Sequence, residues 1–148
     1  MAADLVVLGP GDLYTSLVCN LVVEGISQVL HRTAAKIIYV MNLMGRYGQT
    51  FKFSGQGHLK VLEKYLGRGV IDCVLVNNTS FPRAVLKRYE EEKAFPVKDD
   101  LGRPKRLKVI RANLLSSRIY QKPKGDKLAR SMIRHEPEKL AKAILKLL

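Results

Sequence analysis

The sequence predicts an α/β fold built on a mostly parallel sheet with helices on both faces. Three observations predict it. Short β-branched apolar runs alternate with stretches of helical periodicity along the chain. Three of those runs stop abruptly at a Gly or Asn, at Gly9, Asn42 and Asn77. The first is followed by Gly9-Pro10-Gly11 and a polar cluster, Asp12, Tyr14, Thr15 and Ser16, before apolar residues resume. In open α/β sheets the carboxyl ends of the strands carry the ligand, so those three loops are expected on one rim.

The elements follow in order. Leu5 to Leu8 reads as a strand buried on both faces, bounded by Gly and Pro. Val18 to Leu30 has apolar residues at helical spacing, weakened at Glu24-Gly25, so two short pieces are expected. Lys36 to Met41 reads as the second strand. His58 to Leu66 is amphipathic, with Leu59, Leu62 and Leu66 on one stripe, and Gly67 and Gly69 end it. Val70 to Val76 is the third strand. Pro82 precedes a helix over Arg83 to Lys93, and Leu107 to Arg111 is a fourth strand. Ser116 to Gly125 reads as loop, Asp126 to Ile133 as a helix, and Glu136 or Pro137 to Leu148 as the closing helix. No internal repeat or low-complexity segment interrupts this order.

A chain of 148 residues, 47% apolar, has enough material for one domain with a buried core over residues 1–148. No apolar run is long enough to cross a bilayer, and the N-terminus lacks the pattern of a signal peptide. Cys19 and Cys73 fall in predicted core segments and are expected to be reduced packing residues, which points to the cytoplasm. The net charge is +13 and uneven. Residues 1–82 hold seven Lys/Arg against five Asp/Glu, +2; residues 83–148 hold nineteen against eight, +11. No aromatic residues interleave with the basic run, so nucleic acid is not the expected partner; with no spanning apolar run, a membrane is not expected either. A polyanion binder driven by the basic half is the third functional reading.

The first loop carries the strongest chemistry. Gly9 and Gly11 allow close backbone approach, and Thr15 and Ser16 put hydroxyls near a helix start, an arrangement that suits phosphate and equally makes a tight turn. It is neither a Walker A loop nor G-x-G-x-x-G. Asn42 and Asn77 either read a base or sugar edge or form Asx turns. Tyr14, Tyr47 and Tyr89 either stack on a base or pack. Arg134 is either a diphosphate clamp or a surface cation. Metal-ligand spacing and a Ser/His/Asp signature are both missing, and Asp72 sits within an apolar strand, where it caps or pairs.

Four segments carry a resemblance. GPGDLYTSLVCNLVVEGI is similar to GPGSLYTSIIPNLLVPGI of the gluconeogenesis-factor (YvcK-like) family, relatives of 2-phospho-L-lactate transferase (CofD-like). IIYVMNLMGRYGQTFKFSGQGHLKVL, VLVNNTSFPRAVLKRYEEEKAFPV and RHEPEKLAKAI resemble that family's second loop and helix, its V-N-T-G-x-x-P segment and its closing RHDPEKLA. The resemblance implies a Rossmann-like three-layer fold and a UDP-sugar ligand with a regulatory role in carbon metabolism and cell-wall or shape control. The alternative it implies is a transferase moving phospholactate from a guanosine-diphosphate carrier to a deazaflavin. No cofactor is expected in the first case and magnesium in the second. By position it implies ligand contacts at Gly9, Gly11, Asp12, Tyr14, Thr15, Ser16, Asn42, Met44, Gly48, Thr50, Asn77, Tyr89 and Arg134. Asp12 replaces the family's Ser, Cys19 its Pro, GRYGQT its TQPGET and NNTS its NTG. The family's G-G-T-G-G first loop has no counterpart. The expectation is therefore a C-terminal portion of the family domain, incomplete at its N-terminal side, with a homo-oligomer or a partner chain completing it.

Overall fold

The computed structural model describes residues 3–120, 125 and 131–148. Four strands, β1 (Leu5–Leu8), β2 (Lys36–Val40), β3 (Cys73–Asn77) and β4 (Lys108–Ala112), form one sheet in the order β1-β2-β3-β4. All three pairings are parallel, with Val6 opposite Ile37, Ile38 opposite Cys73 and Val74 opposite Val109. Parallel neighbours joined in sequence by right-handed crossovers put their connecting helices on a common face. That face carries α1, which opens as a π-helical stretch (Leu13–Val18) and continues over Cys19–Leu21, with α2 (Ile26–Arg32) and α3 (Gly55–Leu66). The opposite face is taken by α5 (Pro137–Leu145).

Alternation along the central strands divides the core. Ile37, Tyr39 and Met41 with Val74 and Val76 face Leu13, Leu17, Leu21, Leu62 and Leu66. Ile38, Val40, Cys73 and Leu75 face Leu114 and Leu147. Leu62 and Leu66 are fully buried, and each contributes about 1.5–3 kcal/mol by leaving water. A third cluster lies beyond the strands' carboxyl ends. There Leu43, Leu115 and Ile133 pack on Val85 and Tyr89 of α4 (Arg83–Glu91). Asp72, expected to cap or pair, takes a backbone partner: its Oδ2 accepts the Ile37 N–H at 2.7 Å.

Several boundaries move. Helix α3 starts three residues earlier than the apolar stripe suggests, because Ser54 caps it by accepting the Gly57 N–H. Gly55 sits in a packed first turn, where an added Cβ would lie 3.3 Å from Leu101 and Met41. Strand β3 starts at Cys73 rather than Val70. The first helical piece starts at Leu13, well before Val18. Cys73 is buried, but Cys19 is exposed, its thiol donating to the Thr15 carbonyl at 3.1 Å, so Cys19 is not a core residue. Of the helix expected over Asp126 to Ile133, residues 126–130 lie outside the described residues, and 131–133 are non-helical. The 121–124 part of the preceding loop also lies outside them. Among the described residues no single helix is long and apolar enough to cross a membrane.

Candidate functional site

The carboxyl ends of β1 and β2 open onto a cleft of about 440 Å³, closed on the far side by Ile133, Arg134 and His135. Gly11 and Asp12 line it from the first loop, and Asn42, Leu43 and Met44 from the second. A smaller recess of about 330 Å³ shares Asp12, Met44, Ser131 and Arg134 with it and adds Arg46, Tyr89 and Glu92. The two form one continuous rim site.

The first loop turns sharply. Gly9 has φ +87°, and the Gly9–Pro10 peptide is cis. A Cβ on Gly11 would lie 2.8 Å from the Ser16 Cβ, so only glycine lets the loop fold back on the first turn of α1. Asn42 fastens the second loop to the first: its Nδ2 donates to the Gly11 carbonyl at 2.8 Å. Its Oδ1 accepts from the Tyr39 hydroxyl at 3.3 Å. Burial pushes that phenol well above its ordinary value, keeping it a donor. Asp12 pairs with Arg46 at 2.5 Å. Two departures from the resembling family, Asp12 for Ser and the Arg of GRYGQT, are therefore one feature, a carboxylate and its counter-ion.

The wall bearing Arg134 is built from α4. The Tyr89 hydroxyl, on a 5% exposed side chain, accepts the Met132 N–H at 2.8 Å and the Ile133 N–H at 3.0 Å. It also lies 2.9 Å from the Ser131 hydroxyl. Residues 134–136 then run antiparallel to 114–116, with Ser116 N–H donating to the Arg134 carbonyl and Glu136 N–H to that of Leu114. The Arg134 guanidinium stacks 3.9 Å above the Tyr120 ring, and its side chain is exposed to the cleft. His135 lies against the Met41 carbonyl, and burial holds its pKa below the usual value. Its Nε2 is buried without a hydrogen-bond partner.

The predicted positions separate into groups. Gly11, Asp12, Asn42, Met44 and Arg134 line the main cleft, and Tyr89 lines the recess beside it. Gly9 shapes the loop. Tyr14 packs half-buried against the core, while Thr15 and Ser16 lie exposed on α1, outside the rim site. Thr50 is 3% exposed and accepts the Arg46 N–H, and Gly48 is an exposed turn at φ +81°. The amide of Asn77 is spent on local structure: its Nδ2 donates to Thr79 O and its Oδ1 accepts the Leu114 N–H. The third loop thus supports the Leu114 segment rather than lining the cleft. Tyr47 is exposed and packs edge-on to Phe51. Sequence reasoning missed Arg46, Ser131 and His135 as rim residues. The only signal for Arg46 was an extra cation in a loop whose relatives carry a carboxylate.

The cleft offers a guanidinium, side-chain amide and backbone polar groups in a partly apolar wall. That set suits an anionic ligand with a polar ring system. Among the described residues no group of three or more His, Cys, Asp or Glu gathers as a metal site. Asp12 and Glu92 are the rim's carboxylates, and Asp12 is committed to Arg46. The residues present do not fit a protein-held magnesium ion.

Comparison with known proteins places this architecture. The chain is 36% identical over 148 residues to the gluconeogenesis factor of Bacillus subtilis, covering 99% of this chain and 43% of that protein. It is 33% identical to a putative gluconeogenesis factor of Aquifex aeolicus, at 99% and 42% coverage. A crystal structure of a UPF0052-family protein from Bacillus halodurans superposes with TM-score 0.81 and 30% identity, over 97% of this chain and 43% of that one. The chain thus spans less than half the length of the relatives it matches. The family model for 2-phospho-L-lactate transferase CofD matches residues 1–115. The sheet, its first two rim loops and the helices between them fall within that match, and the chain belongs to the CofD family.

Proposed function

We propose that the rim site binds a nucleoside-diphosphate sugar, and that the protein acts as a regulatory binder of the gluconeogenesis-factor type in carbon metabolism and cell-wall or shape control. One observation carries this reading. Arg134 is held by Tyr89 and the 114–116 segment on the wall facing Gly11, Asp12 and Asn42, at the carboxyl ends of parallel strands. Arg134 clamps the diphosphate, and Asn42 and the Gly11 backbone border it. Gluconeogenesis factors among the relatives support the link to carbon metabolism.

Calorimetric titration of the purified chain with UDP-N-acetylglucosamine, at low and moderate salt, tests it. Saturable binding that survives moderate salt and weakens roughly ten- to hundredfold in Arg134→Ala is the expected result. Unchanged affinity in that variant removes the clamp role. The family description favours a second reading, a transferase using a guanosine-diphosphate carrier. It predicts GDP binding only when magnesium is added, the metal arriving with the nucleotide.

A further inference from the structure

The end of the sheet opposite the cleft has a different character. In a parallel sheet the strand starts and the ends of the covering helices share one end of the molecule. Here that end collects exposed cations from four segments: Arg32 at the end of α2, Lys36 opening β2, Arg68 after α3, and Lys105, Arg106 and Lys108 leading into β4. Their neighbourhood is fixed by backbone bonds, Lys36 N–H to Asp4 O and Lys108 N–H to Asp72 O. Helix α5 arrives at the same end, where the Lys36 ammonium donates to the Leu147 carbonyl at 2.7 Å. The opposing carboxylates at the strand starts are Asp4 and Asp72, and Asp72 already accepts the Ile37 N–H. Neither ion pair among the described residues lies here.

A second observation selects the partner. Where α5 ends, Leu145 is 63% and Leu148 67% exposed, with Lys142 and Lys146 beside them. Exposed aliphatic side chains among lysines are the pattern of a surface that lies on anionic lipid. A nucleic acid gains nothing from them and would be served by stacking aromatics. The exposed Tyr47, Phe51 and Phe95 belong instead to the loops at the cleft end, tied to the strand-end residue Leu43 through the Val97 N–H.

We propose that this end docks peripherally on anionic phospholipid, with Arg32, Arg68, Lys105, Arg106 and Lys108 over the headgroups and Leu145 and Leu148 entering the interface. The cleft then faces away from the bilayer and stays open to its ligand. The inference is independent of what the cleft binds.

The test is co-sedimentation of the full chain with phosphatidylcholine vesicles, with and without phosphatidylserine, at low salt and at about 0.15 M. Binding only to the anionic vesicles is expected. Lys105→Glu/Arg106→Glu should reduce it at least tenfold, since each lost cation is worth roughly fivefold. Leu145→Ser should weaken it more visibly at the higher salt, where the apolar term dominates. Lys87→Glu/Arg88→Glu, the same charge change on α4 beyond the strands' carboxyl ends, should cost much less, with circular dichroism verifying the fold of each variant. Equal binding to neutral vesicles, equal loss in the α4 control, or retention by duplex RNA with no retention by vesicles would each overturn the proposal.

Discussion

The Arg46 guanidinium stands 2.5 Å from the Asp12 carboxylate, joining the loop after β1 to the loop after β2 across the mouth of the cleft. Both side chains are more than a third exposed, so the pair adds only about 0–1 kcal/mol to stability. Its weight falls on binding. Arg46 offsets a charge that would otherwise repel phosphate. Arg46→Ala should weaken a diphosphate ligand severalfold while leaving Tm within a degree or two. Asp12→Ser should strengthen it. Calorimetric titration of both variants with the same nucleotide decides, and a loss of affinity in Asp12→Ser would contradict the account.

Tyr89→Phe removes one oxygen and strands the Met132 and Ile133 N–H groups that it accepts. A buried donor left unpaired costs about 1–3 kcal/mol, so the urea midpoint should fall measurably. Ligand affinity should fall as well, although Tyr89 is a positioning residue that acts through Arg134. A variant with wild-type stability and weakened binding would instead make Tyr89 a direct contact.

Gly11→Ala places a methyl group 2.8 Å from the Ser16 Cβ. The loop must shift or α1 must tilt, at a cost of about 1–3 kcal/mol. Adding Ser16→Gly should recover much of that loss. Failure of the double variant to recover in thermal unfolding would locate the strain elsewhere.

Two imidazoles, His58 and His135, are held below their ordinary pKa, each chiefly by burial. His58 is fully buried, with Nδ1 3.0 Å from the Ser54 carbonyl and Nε2 unpartnered. The unfolded chain therefore binds protons first as pH falls. Their contribution to stability is complete above about pH 6.5 and declines from there toward the lower folded values. Urea midpoints should be flat above neutrality and drop in mild acid. His58→Asn, which keeps a donor for Ser54, should flatten part of that drop.

The alternation of strands and helices was legible because burial on both sheet faces demands continuous apolar runs such as Ile37 to Val40 and Cys73 to Val76. The rim was half legible. Glycine and asparagine at strand ends mark where loops turn, but the residue type does not say whether an amide faces a ligand. Both amides hold local structure, Asn42 between Gly11 and Tyr39 and Asn77 between Thr79 and Leu114, yet only Asn42 also lines the cleft. The Asp12–Arg46 pair was invisible because its members are 34 residues apart and meet only through strand register. For Arg134 the residue type left a diphosphate clamp and a surface cation open, and the resemblance pointed to the first. The position of Arg134 depends on Tyr89, 45 residues earlier, whose hydroxyl the sequence reads as easily as a packing residue's.

Spatial order in this sheet repeats chain order, so every strand finds its partner one crossover away. The molecule then assembles by successive addition around β2 and β3, the two strands paired on both sides, without a late long-range insertion. Native-state hydrogen exchange should show that hierarchy. The amides of Ile38, Val40 and Val74 should exchange last, and those of β1, secured along one edge by β2 alone, should open with α1 and α2 as an early and separable unit. The first rim loop sits on that early-opening unit and Arg134 is held elsewhere, so a ligand bridging the two would protect β1 far more than it protects the centre.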